Sequence, residues 1–145
     1  MDARSYPYVV ELEVAFRDLD AMGHVNNAVY LSYLETARIN FMRDLLDLQS
    51  LDELPIILAE ATVAYKSPAL FGERLIVGCG ISRFGGKSFD MVHRIEAGDG
   101  RLVALSHTVL VMYDYAAATT IPIPQHFKQR VHDLQGDWRI GRWRD

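Results

Sequence analysis

Residues 18–27, DLDAMGHVNN, place two carboxylates, a glycine, a histidine and two side-chain amides in one short stretch. A carboxylate such as Asp20 can take a proton from water as a general base, or attack a carbonyl carbon as a nucleophile. Asn26 and Asn27 precede an apolar periodic segment and so predict a helix N-terminus. The first turn of a helix leaves N–H groups without partners, and these stabilise a developing oxyanion. The stretch therefore predicts a carboxylate beside an oxyanion-binding helix end.

An ordinary polar turn before a helix would use the same residue types. Aspartates in turns often accept backbone hydrogen bonds, and this interpretation is stronger for Asp18 than for Asp20. Gly23 permits either a left-handed turn or the close approach of a ligand. At least one of the paired asparagines is expected to serve only as a cap. From the residues alone, both interpretations stay open.

Other catalytic constellations find little support in the chain. The sequence contains no GxSxG, GxGxxG or Walker motif, and Cys79 lies between glycines in a predicted strand, where it fits a packing role. The five histidines are scattered, so we predict no metal site and no cofactor, and His24 is a candidate base or substrate contact. A carboxylate beside helix N–H groups suits a thioester, because a thiolate with a pKa of about 8.5 leaves without a strong acid. An amide substrate would need a proton donor for its nitrogen.

Glu35 is a second candidate, two turns into the predicted helix. On such an apolar helix a carboxylate needs a partner. Arg38, three residues on, can supply one as an i,i+3 pair. Alternatively, Glu35 projects into a pocket at a subunit boundary.

Two changes of hydrophobic period predict the elements that position these residues. Alternation over residues 8–16 predicts a strand with one buried face, formed by Val10, Leu12, Val14 and Phe16. Residues 27–46 carry apolar side chains at helical spacing, at Tyr30, Leu34, Ala37, Phe41 and Leu45. About four strands follow from residue 56, joined by tight turns at 85–86 and 98–100, and 125–134 predicts a short helix.

One long apolar helix among antiparallel strands predicts an α+β fold in which a curved sheet of about five strands wraps the helix. We predict a single domain over residues 1–145, with a core at about 8–115 and a C-terminal helix and tail at 116–145. Such a sheet keeps two edges that need protection, so we expect a homodimer or a homotetramer. The tail, with two tryptophans and three arginines, has no predicted structure.

Composition narrows the class of protein further. The formal net charge of −4 argues against nucleic acid as the main partner. A single cysteine fits a reducing compartment, and the first ten residues do not have the pattern of a signal peptide. No apolar run is long enough to cross a membrane. We therefore expect a cytoplasmic protein.

The block FRDLDAMGHVNNAVYLSYLETAR resembles the opening motif of hotdog-fold acyl-CoA thioesterases, with the 4-hydroxybenzoyl-CoA and YbgC-like branches nearest and plant-type acyl-ACP thioesterases more distant. YKSPALFGERLIV is similar to the passage between the second and third strands of that family. The resemblance extends over most of residues 8–115 and implies the hotdog fold.

The resemblance implies roles for individual residues. Asp20 falls on the catalytic acid, the Asn27 amide with Gly23 on the oxyanion donor, and Glu35 on an acidic helix position near the site. Tyr30 matches an aromatic position beside the acyl group. The turn GGKSF resembles a basic hairpin that contacts the CoA phosphates. The substrate contacts we predict are His24, Val25, Asn26, Tyr30, Lys66, Ser67, Lys87 and Ser88.

Three activities are compatible with this resemblance. The first is hydrolysis of an acyl-CoA, with a fatty or other acyl group rather than hydroxybenzoyl, since asparagines replace aromatic residues of that branch. The second is hydrolysis of acyl-ACP, for which Arg139, Arg142 and Arg144 would provide a basic rim. The third is acyl-CoA binding without catalysis, which predicts loss of the acid, yet Asp20 is present.

Overall fold

A long helix lies against a six-stranded antiparallel sheet in the computed structural model, which describes residues 2–138, 140 and 143–144. The helices are α1 (Val29–Leu46) and α2 (Gln125–Gln135). The strands are β1 (Tyr8–Glu13), β2 (Ile56–Tyr65), β3 (Arg74–Phe84), β4 (Ser88–Ala97), β5 (Leu102–Asp114) and the short β6 (Thr119–Thr120). They pair in the order β1-β3-β4-β5-β2, with β6 on β5. The prediction of a single long helix followed by antiparallel strands is confirmed.

The predicted helix face is buried against the sheet. Every one of its five apolar residues is at most 7% exposed. The helix begins at Val29, two residues later than predicted, because Asn26 Oδ1 accepts from Ala28 N and holds a turn first. It ends at Leu46, where Asp47 adopts φ 53° and its N–H bonds to Arg43 O. Neither helix in the described part of the chain is long and apolar enough to cross a membrane.

The first strand is shorter than the alternation predicted. It stops at Glu13, and residues Phe16–Asp18 form a 3-10 turn. Asp18 Oδ2 accepts a 2.9 Å hydrogen bond from Ala15 N, which holds this turn. Val14 is buried as predicted, but Phe16 is 78% exposed, so its placement on the buried face was wrong.

Both predicted glycine turns form hairpins, and they align a row of polar side chains across the sheet. β3 pairs with β4 and β4 with β5, so that Cys79 is opposite His93 and His93 is opposite Ser106. All three residues are at most 1% exposed. Burial raises the pKa of the Cys79 thiol well above its usual range. This supports the packing role expected for Cys79.

The C-terminal segment packs against the rest of the fold. Phe127 and Val131 of α2 are buried in the core, as expected for the predicted helix. Trp138 lies over Gly80, where an added Cβ would come within 2.6 Å of the indole ring. Trp143 stacks on His107 at 5.9 Å between ring centroids. The tail arginines Arg139 and Arg142, candidates for a basic rim, lie outside the described residues.

Candidate functional site

A cavity of about 330 Å³ lies between the turn that precedes α1 and the end of β2. Its walls are Asp20, Met22, His24, Val25, Asn27, Tyr30, Tyr65, Lys66, Ser67 and Pro68. The two chain segments are joined by backbone pairing, since Val25 N donates to Ala69 O and His24 forms a bridge with Leu70. Most of the predicted site residues therefore meet in one place.

Asp20 is held by the turn that it begins. Its Oδ1 accepts from the backbone N–H of Met22 at 2.9 Å and of His24 at 3.4 Å. Asp20 N donates to His24 O, and Gly23 closes the loop at φ 81°, a conformation that favours glycine. Oδ2 has no hydrogen-bond donor among the described residues. The turn thus orients the carboxylate with one oxygen and leaves the other available to a ligand.

The two asparagines before α1 differ in their hydrogen bonds. Asn26 uses its side-chain oxygen for Ala28 N and its carbonyl for Val29 N, both at 2.9 Å. The Asn27 N–H has no acceptor among the described residues, while the Asn27 carbonyl accepts a 2.8 Å bond from the Tyr65 hydroxyl. Asn26 therefore holds the turn that leads into α1. The Asn27 amide keeps an unused donor at the positive end of the helix.

Two tyrosines form the apolar wall of the cavity. Tyr30 is 2% exposed, and its hydroxyl accepts from Ala69 N at 3.3 Å. Burial raises its pKa, which keeps the ring neutral. The ring of Tyr65 meets that of Tyr30 edge to face at 5.2 Å. Sequence reasoning missed Tyr65, although it directly precedes the predicted Lys66 and ends the strand before a proline.

Asp18 is occupied by the fold. Besides Ala15 N, its Oδ2 accepts a 2.7 Å hydrogen bond from the hydroxyl of Tyr33. Burial and then this bond raise the pKa of Tyr33. The carboxylate joins the turn before α1 to the helix itself, in agreement with its predicted structural role.

Ser67 lies in the wall with its hydroxyl already engaged. It donates to Leu102 O at 2.6 Å and accepts from Arg101 Nε at 3.3 Å. Arg101 is in turn held by a bidentate pair with Glu73 at 2.8 and 2.9 Å. Ser67 thus shapes the cavity without offering a free hydroxyl proton.

Glu35 does not line the Asp20 cavity of its own chain. It lies eight residues along the helix from Asn27, roughly 12 Å at 1.5 Å per residue. It lines a separate cavity with Arg38, and their charged groups are 3.9 Å apart. The structure thus pairs Glu35 weakly with the i,i+3 arginine considered as its alternative partner.

Lys87 and Ser88 also lie away from the cavity. Ser88 pairs with Val111 of β5, and the next residue of β5 pairs with Ile56, the first residue of β2. The cavity instead adjoins Tyr65, the last residue of β2. At about 3.3 Å per residue the two ends of β2 are roughly 30 Å apart. Lys87 Nζ is 3.4 Å from Thr120 Oγ1. Lys87 and Ser88 therefore do not line the Asp20 cavity of their own chain.

Metal ligation has no support in the described residues, where no group of three or more His, Cys, Asp and Glu side chains could hold an ion.

Comparison with known proteins gives a consistent result. Residues 14–131 match the model of the Thioesterase-like superfamily. The long-chain acyl-CoA thioesterase FadM of Escherichia coli K12 is 23% identical over 128 residues, covering 86% of this chain and 96% of that protein.

Solved structures share the fold. A thioesterase from Thermus thermophilus, complexed with coenzyme A and Zn, superposes with a TM-score of 0.83 at 34% identity, covering 94% of this chain and 98% of that one. A 1,4-dihydroxy-2-naphthoyl-CoA thioesterase from Synechocystis superposes with a TM-score of 0.76 at 23% identity, covering 88% and 96%. The predicted resemblance and the predicted hotdog fold are both confirmed.

Proposed function

This chain belongs to the Thioesterase-like superfamily and is a thioester hydrolase, and we propose that it hydrolyses acyl-CoA at the Asp20 cavity. The observation that carries the proposal is the pairing, in one cavity, of a carboxylate with a spare oxygen and an unused helix N-terminal amide. Asp20 is the reactive group, and the Asn27 N–H stabilises the negative charge that develops on the carbonyl oxygen.

In the general-base route, Asp20 takes a proton from water as the water oxygen bonds to the thioester carbon. The carbonyl electron pair moves onto oxygen, facing the Asn27 N–H. The C–S bond then breaks, and the leaving thiolate takes the proton from Asp20 to give the thiol of CoA. The products are the free acid and CoA.

In the nucleophilic route, Asp20 attacks the thioester carbon and the thiolate leaves, which forms a mixed anhydride on Asp20. Water then cleaves the anhydride and restores the carboxylate. Incorporation of ¹⁸O into Asp20 during a single turnover in ¹⁸O water would identify the nucleophilic route, because only attack of water on the Asp20 carbonyl carbon of the anhydride labels the protein.

A fatty or other non-aromatic acyl group is the substrate that we propose. Tyr30 and Val25 give the cavity apolar walls, and both are 2% exposed. The named activity of the Escherichia coli relative, on long-chain acyl-CoA, is in keeping with such a substrate. The carrier is proposed to be CoA, because two similar structures hold it, one of them at 34% identity.

A panel of acyl-CoAs of graded length, run beside an acyl-ACP and a short thioester without a nucleotide, tests this proposal. We expect the highest kcat/KM on an acyl-CoA, and Asp20→Asn as the control should remove hydrolysis of every member. Hydrolysis restricted to acyl-ACP would replace CoA with the carrier protein. Equal activity of wild type and Asp20→Asn would reject the mechanism.

We also propose that the working form is a homodimer or a dimer of dimers. Strand β2 ends the sheet and is exposed along residues 57–61. Antiparallel pairing of two β2 edges about a two-fold axis would bring the Lys87–Ser88 turn of one copy towards the Asp20 cavity of the other. Lys87→Ala should then raise KM for acyl-CoA more than for the short thioester, and an equal effect on both would remove Lys87 from the CoA site.

A further inference from the structure

Arg101 does not line the Asp20 cavity, yet its guanidinium holds the chain that forms one wall of it. Nη2 is 2.8 and 2.9 Å from the two oxygens of Glu73 and 3.2 Å from the backbone oxygen of Pro68. Nε donates to Ser67 Oγ at 3.3 Å. Ser67 and Pro68 are both cavity walls. One side chain between β4 and β5 therefore contacts both ends of the 67–73 segment, which joins β2 to β3.

The turn that carries Arg101 also fixes its side chain. Asp99 Oδ1 accepts from Arg101 N at 3.0 Å, and Asp99 Oδ2 accepts from Nη1 at 2.9 Å. Gly100, between them, has φ 88°, a conformation that favours glycine. The Arg101 side chain is 33% exposed and that of Glu73 is 22% exposed. A planar guanidinium held in this way orients several partners at once, which a flexible ammonium does not.

The 67–73 segment in turn contacts the turn that holds the reactive carboxylate. Glu73 Oε1 accepts from Leu70 N at 2.7 Å. Leu70 forms a bridge with His24, which lines the cavity from the opposite side. His24 N donates to Asp20 Oδ1 at 3.4 Å. A continuous series of contacts therefore leads from the Arg101 guanidinium to the Asp20 turn.

We propose that Arg101 is a positioning residue for the substrate, because its pair with Glu73 sets where the 67–73 wall lies relative to the Asp20 turn. The inference rests on the proposed hydrolysis at this cavity and adds a residue from outside it. Asp20 is oriented by N–H groups of its own turn, and the Asn27 N–H belongs to the start of α1. Loss of Arg101 should therefore weaken substrate binding more than the chemical step.

Arg101→Met tests the proposal, since it removes every donor of the guanidinium and keeps an unbranched side chain. On the acyl-CoA that wild type hydrolyses fastest, KM should rise by about 10-fold while kcat stays within about three-fold of wild type, because hydrogen bonds to charged groups are strong ones. Steady-state kinetics well below the melting temperature measures both constants.

Arg101→Lys separates the charge of the side chain from its geometry. The lysine keeps a positive charge beside Glu73, but one ammonium cannot reach Glu73, Pro68 and Ser67 together. KM should therefore still exceed the wild-type value by several-fold. If Arg101→Met does not fold, this variant provides the test by itself, and a wild-type KM in Arg101→Lys would overturn the proposal.

Arg94→Met is the matched control. Arg94 Nε donates to Glu96 Oε2 at 2.7 Å, and the two side chains are 17% and 10% exposed, so this ion pair is also shielded. Neither residue lines the Asp20 cavity. The control should lower the melting temperature and leave KM unchanged. An equal rise in KM would show that the loss of any shielded ion pair impairs binding, and would overturn the positioning role.

Amide hydrogen exchange gives a readout that does not depend on hydrolysis. Arg101→Met should cause a loss of protection at Leu70 N, whose acceptor is Glu73, and at Val25 N, whose acceptor is a backbone oxygen of the 67–73 segment. Arg94→Met should leave both amides protected. Faster exchange with an unchanged KM would make Arg101 a structural residue only, and unchanged exchange would also overturn the proposal.

A double variant tests whether Arg101 acts through Glu73. If the two residues act as one pair, Glu73→Gln combined with Arg101→Met should raise KM no more than the larger single effect. Fully additive effects would contradict this path. Retained hydrolysis in Asp20→Asn would instead reject the proposed catalytic site, and the exchange results would still report whether Arg101 holds the 67–73 segment.

Discussion

Two regions of this protein hold polar groups that have no hydrogen-bond partner among the described residues, and they differ in access. At the start of α1, the Asn27 N–H and one oxygen of Asp20 border an open cavity. Beneath the helix, both ring nitrogens of His93 and the hydroxyl of Ser106 are enclosed.

This difference distinguishes polar groups that a ligand can reach from polar groups whose burial lowers the stability of the fold. Polar groups beside a cavity form hydrogen bonds with water until a substrate replaces the water, so leaving them without a protein partner costs little free energy. Enclosed polar groups lose their hydrogen bonds to water and form none within the protein, which destabilises any charged form of the group. Burial first, and the nearby Arg38 second, lower the pKa of His93 to about 3. Unused polarity therefore indicates function here only where a ligand can reach it.

The largest effect expected is on catalysis at the open region. Asp20→Asn should lower kcat by about 10²–10⁴-fold, because the variant cannot accept a proton or attack the carbonyl carbon. Its melting temperature should stay near that of wild type, since the amide oxygen can still accept from Met22 and His24. Steady-state kinetics and calorimetry measure the two. A large loss of stability in Asp20→Asn would show that Asp20, like the buried polar groups, has a structural role, and would contradict the difference between the two regions.

The enclosed region should instead give stability a pH dependence. His93 has a folded pKa of about 3 and an unfolded pKa of about 6.5, so the unfolded chain binds the proton first. Its stabilisation is complete above pH 6.5 and is lost as pH falls towards 3, by about 2 kcal/mol between pH 7 and pH 5. Urea unfolding at both pH values measures this. His93→Leu should remove that part of the slope; an unchanged slope would assign it to other groups.

The two aspartates of the DLD sequence should separate stability from activity. Asp18→Ala leaves the buried Tyr33 hydroxyl without its acceptor and should cost about 1–3 kcal/mol of unfolding free energy. Asp20→Ala, the matched variant two residues away, should cost less and lose more activity. Denaturant unfolding of the pair decides this, and equal losses of stability would contradict the division of roles.

The smallest effect concerns the orientation of the helix start. Tyr65→Phe removes the hydrogen bond to Asn27 O while keeping the ring against Tyr30. A neutral hydrogen bond contributes about 0.5–1.5 kcal/mol, so kcat/KM should fall by roughly 2–10-fold. Tyr113→Phe, whose ring is elsewhere on β5, provides the control. No change in kcat/KM would show that Tyr65 acts only as a wall.

Local features of the site could be predicted from the sequence. Gly23 adopts a positive φ, Asn26 Oδ1 accepts from Ala28 N before α1, and Asp20 begins the turn that Gly23 closes. All three features depend on neighbours within a few residues. The period of α1 likewise predicts its buried face, because side chains three and four apart share a side. For these features the residue types and their spacing decided the outcome.

Other features depend on which distant segments meet. Tyr65 joins Asn27 across 38 residues because the end of β2 comes to the start of α1. Lys87 and Ser88 lie at the other end of β2, since strand register sets their distance from the cavity. Glu35 matches a family position but faces Arg38 at the open side of the helix. Sequence alone therefore determined the turn that holds Asp20 and the helix behind it, whereas the tertiary structure decided their partners, because long-range pairing is set by the register of the whole sheet.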